Sequence, residues 1–339
     1  MSDMKSRFDP NNPMRVGGQA VIEGVMMRAP GRIATAVRRA DGTIATRTES
    51  HDGLVERYGL LKFPVVRGAF GLVDMLFVGI RTLNYSAEMA LQDAGDGEPG
   101  PDEKGNGTAP LPAANGSEGV RLALMVAFSL VVGAALFFAT PLIVTNAMFD
   151  VQQDPMSFNA IAGGIRLALL LAYLGGISLL KDVRRLFEYH GAEHKAVFAF
   201  ESGATLDVAS ASRQSRFHPR CGTSFLLVVM LAAILLFGLL DAILLRALGG
   251  LTLTVRLATH LPLIPLVGGV SYEFIRVSAR HSTSFLGRIV VAPGLWLQKI
   301  TTKEPDERQL EVALVALRSA LALDTPEAVP VPARAAITT

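Results

Sequence analysis

The sequence has one cysteine, Cys221, in 339 residues. No internal disulfide can form, and a disulfide-stapled secreted fold is excluded. Charge is scarce too: Asp, Glu, Lys and Arg make up 18% of the chain, against about 25% in soluble domains. The formal net charge is only +2, and no long basic run with interleaved aromatics occurs, so nucleic acid is not a predicted partner. The first 58 residues contain no apolar stretch of signal-peptide length. No internal repeat is visible, which argues against a transporter built from duplicated halves.

Apolar sequence, by contrast, is abundant. Half of the residues are hydrophobic and the mean hydropathy is positive, which points to lipid. From Leu122 to Phe149 there is no charged residue, and about 20 apolar residues suffice to cross a bilayer. Three further spans are predicted: 158–180, interrupted only by Arg166; Cys221 to Leu240; and about 253–275, with Arg256 at its entry, His260 inside, and Pro262 and Pro265 as kinks.

Loop charge sets the orientation. The N-terminal segment carries Arg15, Arg28, Arg32, Arg38, Arg39, Arg47 and Arg57, and the loop after the second span carries Lys181, Arg184, Arg185, Lys195, Arg213, Arg216 and Arg220. Arg276, Arg280, Arg288, Lys299 and Lys303 follow the last span, whereas the loop between the first two has Asp150 and Asp154 and no basic residue. Four spans put all three basic regions on one side, so both termini are predicted to be cytoplasmic. Residues 60–84 are apolar but interrupted by Lys62, Arg67, Asp74 and Arg81. They read as an amphipathic helix on the cytoplasmic face, or re-entrant; the alternative is a buried helix of a soluble domain.

The expected fold class is a mainly α integral membrane protein with four transmembrane helices, a small cytoplasmic β unit and amphipathic helices. Residues 1–14 read as a disordered N-terminus and 15–58 as the β unit, with Asp41-Gly42 between alternating segments as a hairpin signal. Residues 59–92 form the amphipathic interfacial helices and 93–118 an acidic Gly/Pro-rich linker. The transmembrane domain covers 119–280, with a cytoplasmic loop at 181–221. An interfacial segment and a C-terminal helix occupy 281–323, and 324–339 is a disordered tail.

His190-Gly191-Ala192-Glu193-His194 fits the H-x-x-E-H pattern of inverzincin metalloproteases. On a helix, His190 and His194 project from one face a turn apart, as two ligands of one Zn²⁺ must. Glu193 beside them is the candidate catalytic base for water that the metal acidifies. Gly191 counts against the motif, since it weakens a helix by about 1 kcal/mol relative to alanine. The bland alternative is that both histidines cap or pack a juxtamembrane helix. His218 and Cys221 close the same loop and are candidate further ligands, because Cys-plus-His ligation suits zinc. Alternatively Cys221 is a small apolar residue opening a helix, or a nucleophile activated by a nearby histidine. Glu273 is an additional candidate ligand by analogy with the downstream glutamate of inverzincins, set against an ion pair with Arg276 or Arg280. His260 reads as a satisfied polar group inside the bilayer.

The stretches GGQAVIEGVMMRAP (17–30), YHGAEHKAVFAFE (189–201), HPRCGTSF (218–225) and TTKEPDERQLEVALVAL (301–317) occur in order along the chain. Together they resemble the YqhQ-like bacterial membrane proteins, the family of unknown function numbered 1385. The resemblance implies a multi-pass protein of the bacterial plasma membrane, sometimes labelled a metal-dependent enzyme, with no established substrate. That label rests on the histidine motifs, which match here at His190, His194, His218 and Cys221. The expected function is therefore a zinc-dependent hydrolase, a protease among the options, acting at the cytoplasmic membrane face. Its partners would be the bilayer and an unknown protein or peptide. The competing expectation is a non-enzymatic scaffold or transport-associated factor with a structural metal or none.

Overall fold

A computed structural model describes residues 16–94, 124, 128–129, 131–133, 135–148, 154–280 and 284–323. The readings of 1–14, of 324–339 and of nearly all of the 93–118 linker fall outside the described residues.

Four antiparallel strands open the described chain: β1 (Gly17–Val21), β2 (Gly24–Ala29), β3 (Gly31–Arg38) and β4 (Ile44–His51), with sheet order following sequence order. The links are short. Asp41 accepts a hydrogen bond from the Thr43 N–H at 2.8 Å, and Gly42 takes φ 87°, which a glycine adopts without steric cost. Alternation sorts the inner strands onto two faces. Val25, Met27, Ala34 and Ala36 join one hydrophobic core, while Val21, Met26, Ile33 and Val37 join another with Val78. Both faces of the sheet are thus covered by helices.

The second core belongs to α1 (Val66–Ala94). The first is shared by α4 (Lys181–Glu201) and α9 (Glu307–Ala320). Helix α9 starts at a capping box, in which Asp306 accepts from the Gln309 N–H at 2.7 Å and Gln309 Oε1 accepts from the Asp306 N–H at 2.9 Å. Its Leu310, Ala313, Leu314 and Leu317, at helical spacing, are buried on the sheet and α4. Full burial of a leucine contributes about 1.5–3 kcal/mol, so this one stripe fastens the C-terminal segment to the N-terminal sheet.

Between these parts lie the apolar helices. Three described helices are long and apolar enough to cross a membrane: Val131–Met148, whose last part is α2 (Thr140–Met148); α3 (Pro155–Ile177); and α5 (Gly222–Leu248). Asp154 caps α3 through the N–H groups of Met156 and Ser157, with Pro155 in the first turn. Gly249, at φ 72°, ends α5. The fourth predicted span does not form one helix. It is divided into α6 (Leu253–His260), a 3-10 turn at Leu261–Leu263 and α7 (Ile264–Arg280). Pro262 and Pro265 bracket the break, and each lacks the N–H that a continuous helix needs. Helix α8 (Phe285–Thr301) then packs against α5.

A polar cluster ties α3, α5 and α6 together. Asp241 Oδ2 accepts from Asn159 Nδ2 and from an Arg256 guanidinium nitrogen, each at 2.7 Å, and His260 Nε2 faces Asp241 Oδ1 at 3.2 Å.

Candidate metal centre

Helix α4 presents His190 and His194 one turn apart, with ring centroids 4.5 Å from each other. Cys221, the N-cap of α5, comes up against them: His190 Nε2 lies 3.2 Å from its Sγ. One ligand atom from each of these three residues falls within 4.8 Å of the others. Tetrahedral zinc with these ligands would hold its donor atoms about 3.5 Å apart, so the group fits with small adjustments.

The use of each ring nitrogen is more telling than the distances. His190 Nδ1 is 2.8 Å from the Thr301 carbonyl oxygen and His194 Nδ1 is 2.5 Å from the Arg216 carbonyl oxygen. A carbonyl only accepts, so Nδ1 carries the hydrogen in both rings and donates it. Both Nε2 lone pairs are left facing the thiol side. This is how metal-ligating histidines are oriented, with the remote N–H spent on a carbonyl or carboxylate. Burial lowers the pKa of both rings, with the Glu193 charge acting in the opposite direction at His190. The neutral imidazole so favoured is the form that binds metal. Cys221 Sγ also accepts from the Thr223 N–H at 3.4 Å, as the N-cap of a 27-residue helix.

Glu193 is buried beside them, its Oε2 3.5 Å from His194 Nε2. Burial raises the carboxyl pKa, while His190, His218 and the Gly18 backbone N–H that it accepts from lower it. The approach of β1 to α4 depends on Gly18. A Cβ there would sit 2.2 Å from the Met26 carbonyl oxygen and 3.1 Å from Glu193 Cγ.

Gly191, which counts against a helix in the sequence, has a packing reason. The chain after α8 crosses α4 at this point, with the Lys303 N–H donating to the Phe187 carbonyl at 2.8 Å. A Cβ on Gly191 would meet the Lys303 oxygen at 2.1 Å. The glycine admits the strap that carries the Thr301 carbonyl to His190.

The structure does not bring the other two candidates into the ligand group. His218 packs next to His194, with ring centroids 5.6 Å apart, but both of its nitrogens are engaged. Nδ1 accepts from the Arg220 N–H at 3.3 Å, so Nε2 carries the hydrogen towards Glu201 Oε2 at 3.2 Å. Its backbone is gripped by Gln298, whose Oε1 accepts from the His218 N–H and whose Nε2 donates to the His218 carbonyl, both at 2.8 Å. Glu273 forms a two-point ion pair with Arg67, at 2.6 and 2.5 Å. An ion pair was the alternative for Glu273, and the partner seen here, Arg67, comes from α1. The contacts that sequence reasoning missed are backbone groups: the carbonyls of Thr301 and Arg216 and the N–H of Gly18. Two of these residues do lie in the quoted blocks 17–30 and 301–317, and the structure joins all four blocks at this one place.

The fold and site define a class: a mainly helical protein with, among the described residues, three helices long and apolar enough to cross a membrane, joined to a four-stranded sheet and holding a largely buried His-His-Cys group. The chain belongs to the family described as protein of unknown function (DUF1385), whose model matches residues 63–323. It is 29% identical over 317 residues to the uncharacterized protein YqhQ of Bacillus subtilis (strain 168), an alignment covering 92% of this chain and 94% of that protein. No solved structure matches.

Proposed function

We propose that this protein is a multi-pass membrane protein that holds one zinc-type ion at His190, His194 and Cys221 on the cytoplasmic side of a bacterial plasma membrane, and acts there as a metal-dependent hydrolase. The observation that carries the metal reading is the pair of Nδ1–H donations to the Thr301 and Arg216 carbonyls, which leaves both Nε2 lone pairs facing Cys221. When bound, the ion would supply a Lewis acid that lowers the pKa of water towards ~7. The chain supplies the proton traffic: Glu193, steadied by the Gly18 N–H, takes the proton from the attacking water and returns it to the leaving group.

Four spans are supported by the main core. It is built from the N-terminal sheet, from α4 with Leu206 and Ala211, and from α9. These three stretches must lie on one side of the membrane to share a core. Val131–Met148 and α3 separate the first stretch from the second, an out-and-back pair. Helix α5 alone crosses between the second and third, so the chain must return between Gly249 and Thr301. The bent α6–α7 segment at 253–280 is the return path. The basic loops put the shared side in the cytoplasm.

A second reading is favoured by the burial of the group. Cys221 is 6% exposed, Glu193 5% and His194 2%. With Glu193 as a fourth ligand the site would be closed and structural, as in a scaffold, whereas catalytic zinc keeps a position open. The test is metal content of the detergent-purified protein beside His190→Ala/His194→Ala and Glu193→Gln. About one ion per chain, absent from the double histidine variant, is the expected result. Glu193→Gln keeps its metal if Glu193 is the base and releases it to a mild chelator if Glu193 is a ligand. Metal-free wild type after zinc has been supplied sinks both versions.

A further inference from the structure

Helix α1 has two apolar faces, and the sheet covers one of them. Val78, Thr82 and Ser86 are buried on the sheet side. There Gln19 Nε2 donates to Thr82 Oγ1 at 3.0 Å, and the Ile22 N–H donates to Ser86 Oγ at 3.2 Å. On the other side Val66, Phe70, Val73, Phe77 and Ile80 are exposed, at alternating spacings of four and three that align them in one stripe. Leu76 and Leu83 widen it, at 61% and 44% exposure. A contiguous apolar surface of this kind marks an interaction site.

Two observations identify what covers the stripe. The N-terminal end of α1 is wedged into α7 through its buried Gly68, on the face opposite the stripe. A Cβ on Gly68 would approach Gly269 Cα to 3.0 Å, and one on Gly269 would come within 2.3 Å of the Val65 carbonyl oxygen. Val65 itself is held at φ 68°, which is costly for a β-branched residue. The chain thus enters α1 in backbone contact with the helix read above as the return span, and the stripe is the face of α1 turned away from that contact. Upstream, Leu60 and Phe63 are 80% and 63% exposed, and exposed Arg57 and Lys62 lie beside them. Bulky apolar groups edged by cations suit acyl chains beneath anionic headgroups.

We propose that the exposed stripe of α1 is a lipid-contact surface seated in the cytoplasmic leaflet, with acyl chains as its partner. The assignment rests on the membrane part of the reading above and is independent of the metal. Seated there, α1 joins the bilayer to β1, the strand whose Gly18 N–H reaches Glu193.

The test uses the full chain in vesicles of phosphatidylcholine and phosphatidylglycerol. Phe77→Cys, Ile80→Cys and, for contrast, Glu311→Cys on α9 are each labelled with an environment-sensitive fluorophore, and unmodified protein reports any labelling of buried Cys221. The expected result is loss of emission at positions 77 and 80 with lipids spin-labelled near the headgroup, with shielding from aqueous iodide, and the reverse at 311. Iodide quenching at 77 and 80 as strong as at 311 overturns the proposal, because the stripe then faces water. Shielding from both quenchers overturns it as well, in favour of a protein partner or a second copy. Metal content does not enter either readout, so failure here is distinct from failure of the metal reading.

Discussion

Two clusters set histidine among polar and charged side chains, one towards each end of α5. Cys221 and Asp241 are about 30 Å apart along the helix axis at about 1.5 Å per residue. At the far end, Asp241 is matched by Arg256 and Asn159 on one oxygen and faces His260 with the other. Charge meets countercharge, and the result is a polar clamp between helices. At the near end the imidazoles give their N–H groups to backbone carbonyls and direct their lone pairs at a thiol. The difference teaches that a buried histidine says little by itself. Which atom each ring nitrogen faces separates a fastening from a candidate ligand set.

The largest effect should come from breaking the clamp. Asp241→Ala leaves Arg256 buried without its counter-ion, at a cost of about 3–5 kcal/mol. A much lower unfolding temperature in detergent is expected, with unchanged metal content in whatever remains folded. Unchanged thermal stability would mean that the clamp is not holding the bundle together.

At the near end, Gly191→Ala forces the Lys303 strap off α4. Overpacking of this kind costs about 1–3 kcal/mol. It should also loosen metal retention during dialysis against a weak chelator, because the strap brings the Thr301 carbonyl to His190. Gly176→Ala is the control, since a Cβ there meets nothing within 4 Å. Equal retention in the two variants would show that the strap does not orient the ring.

The smallest effect is expected at Glu273. Its pairing with Arg67 is partly exposed, with side-chain exposures of 27% for Arg67 and 19% for Glu273, and such pairs are worth under about 1 kcal/mol. Glu273→Gln should alter neither metal content nor, measurably, the unfolding temperature. Loss of metal would return Glu273 to the ligand set.

Sequence periodicity goes far with the elements and less far with their joins. Asp41-Gly42 between alternating segments is enough for a hairpin, and long apolar runs with few charges are enough for α3 and α5. The prolines at 262 and 265 point to a kink, but only the structure shows two separate helices there. The double character of α1 was not legible, because both of its faces are apolar and pattern alone cannot say which one meets protein. At the candidate site, four-residue spacing aligns His190 and His194, and a shared loop suggests Cys221. What spacing cannot give is the backbone. The Thr301 and Arg216 carbonyls have no side-chain signature, and the Gly18 N–H is marked only by a glycine whose role depends on how closely β1 approaches α4. Gly191 misleads for the same reason, since a helix-weakening residue is what a crossing strap requires.

The make-up of the main core also bears on when the site can exist. Its parts come from residues 16–36, 189–211 and 310–321, and the His190 ring is fixed by a carbonyl at position 301. A nascent chain therefore exposes His190 long before its orienting partner has been synthesised. The sheet emerges first, and α4 can cover only part of its apolar face before α9 is released from the ribosome. Closure of the core and orientation of His190 are thus late, joint events in biogenesis, and a truncation before Thr301 leaves His190 without the carbonyl that orients it, while His194 keeps that of Arg216.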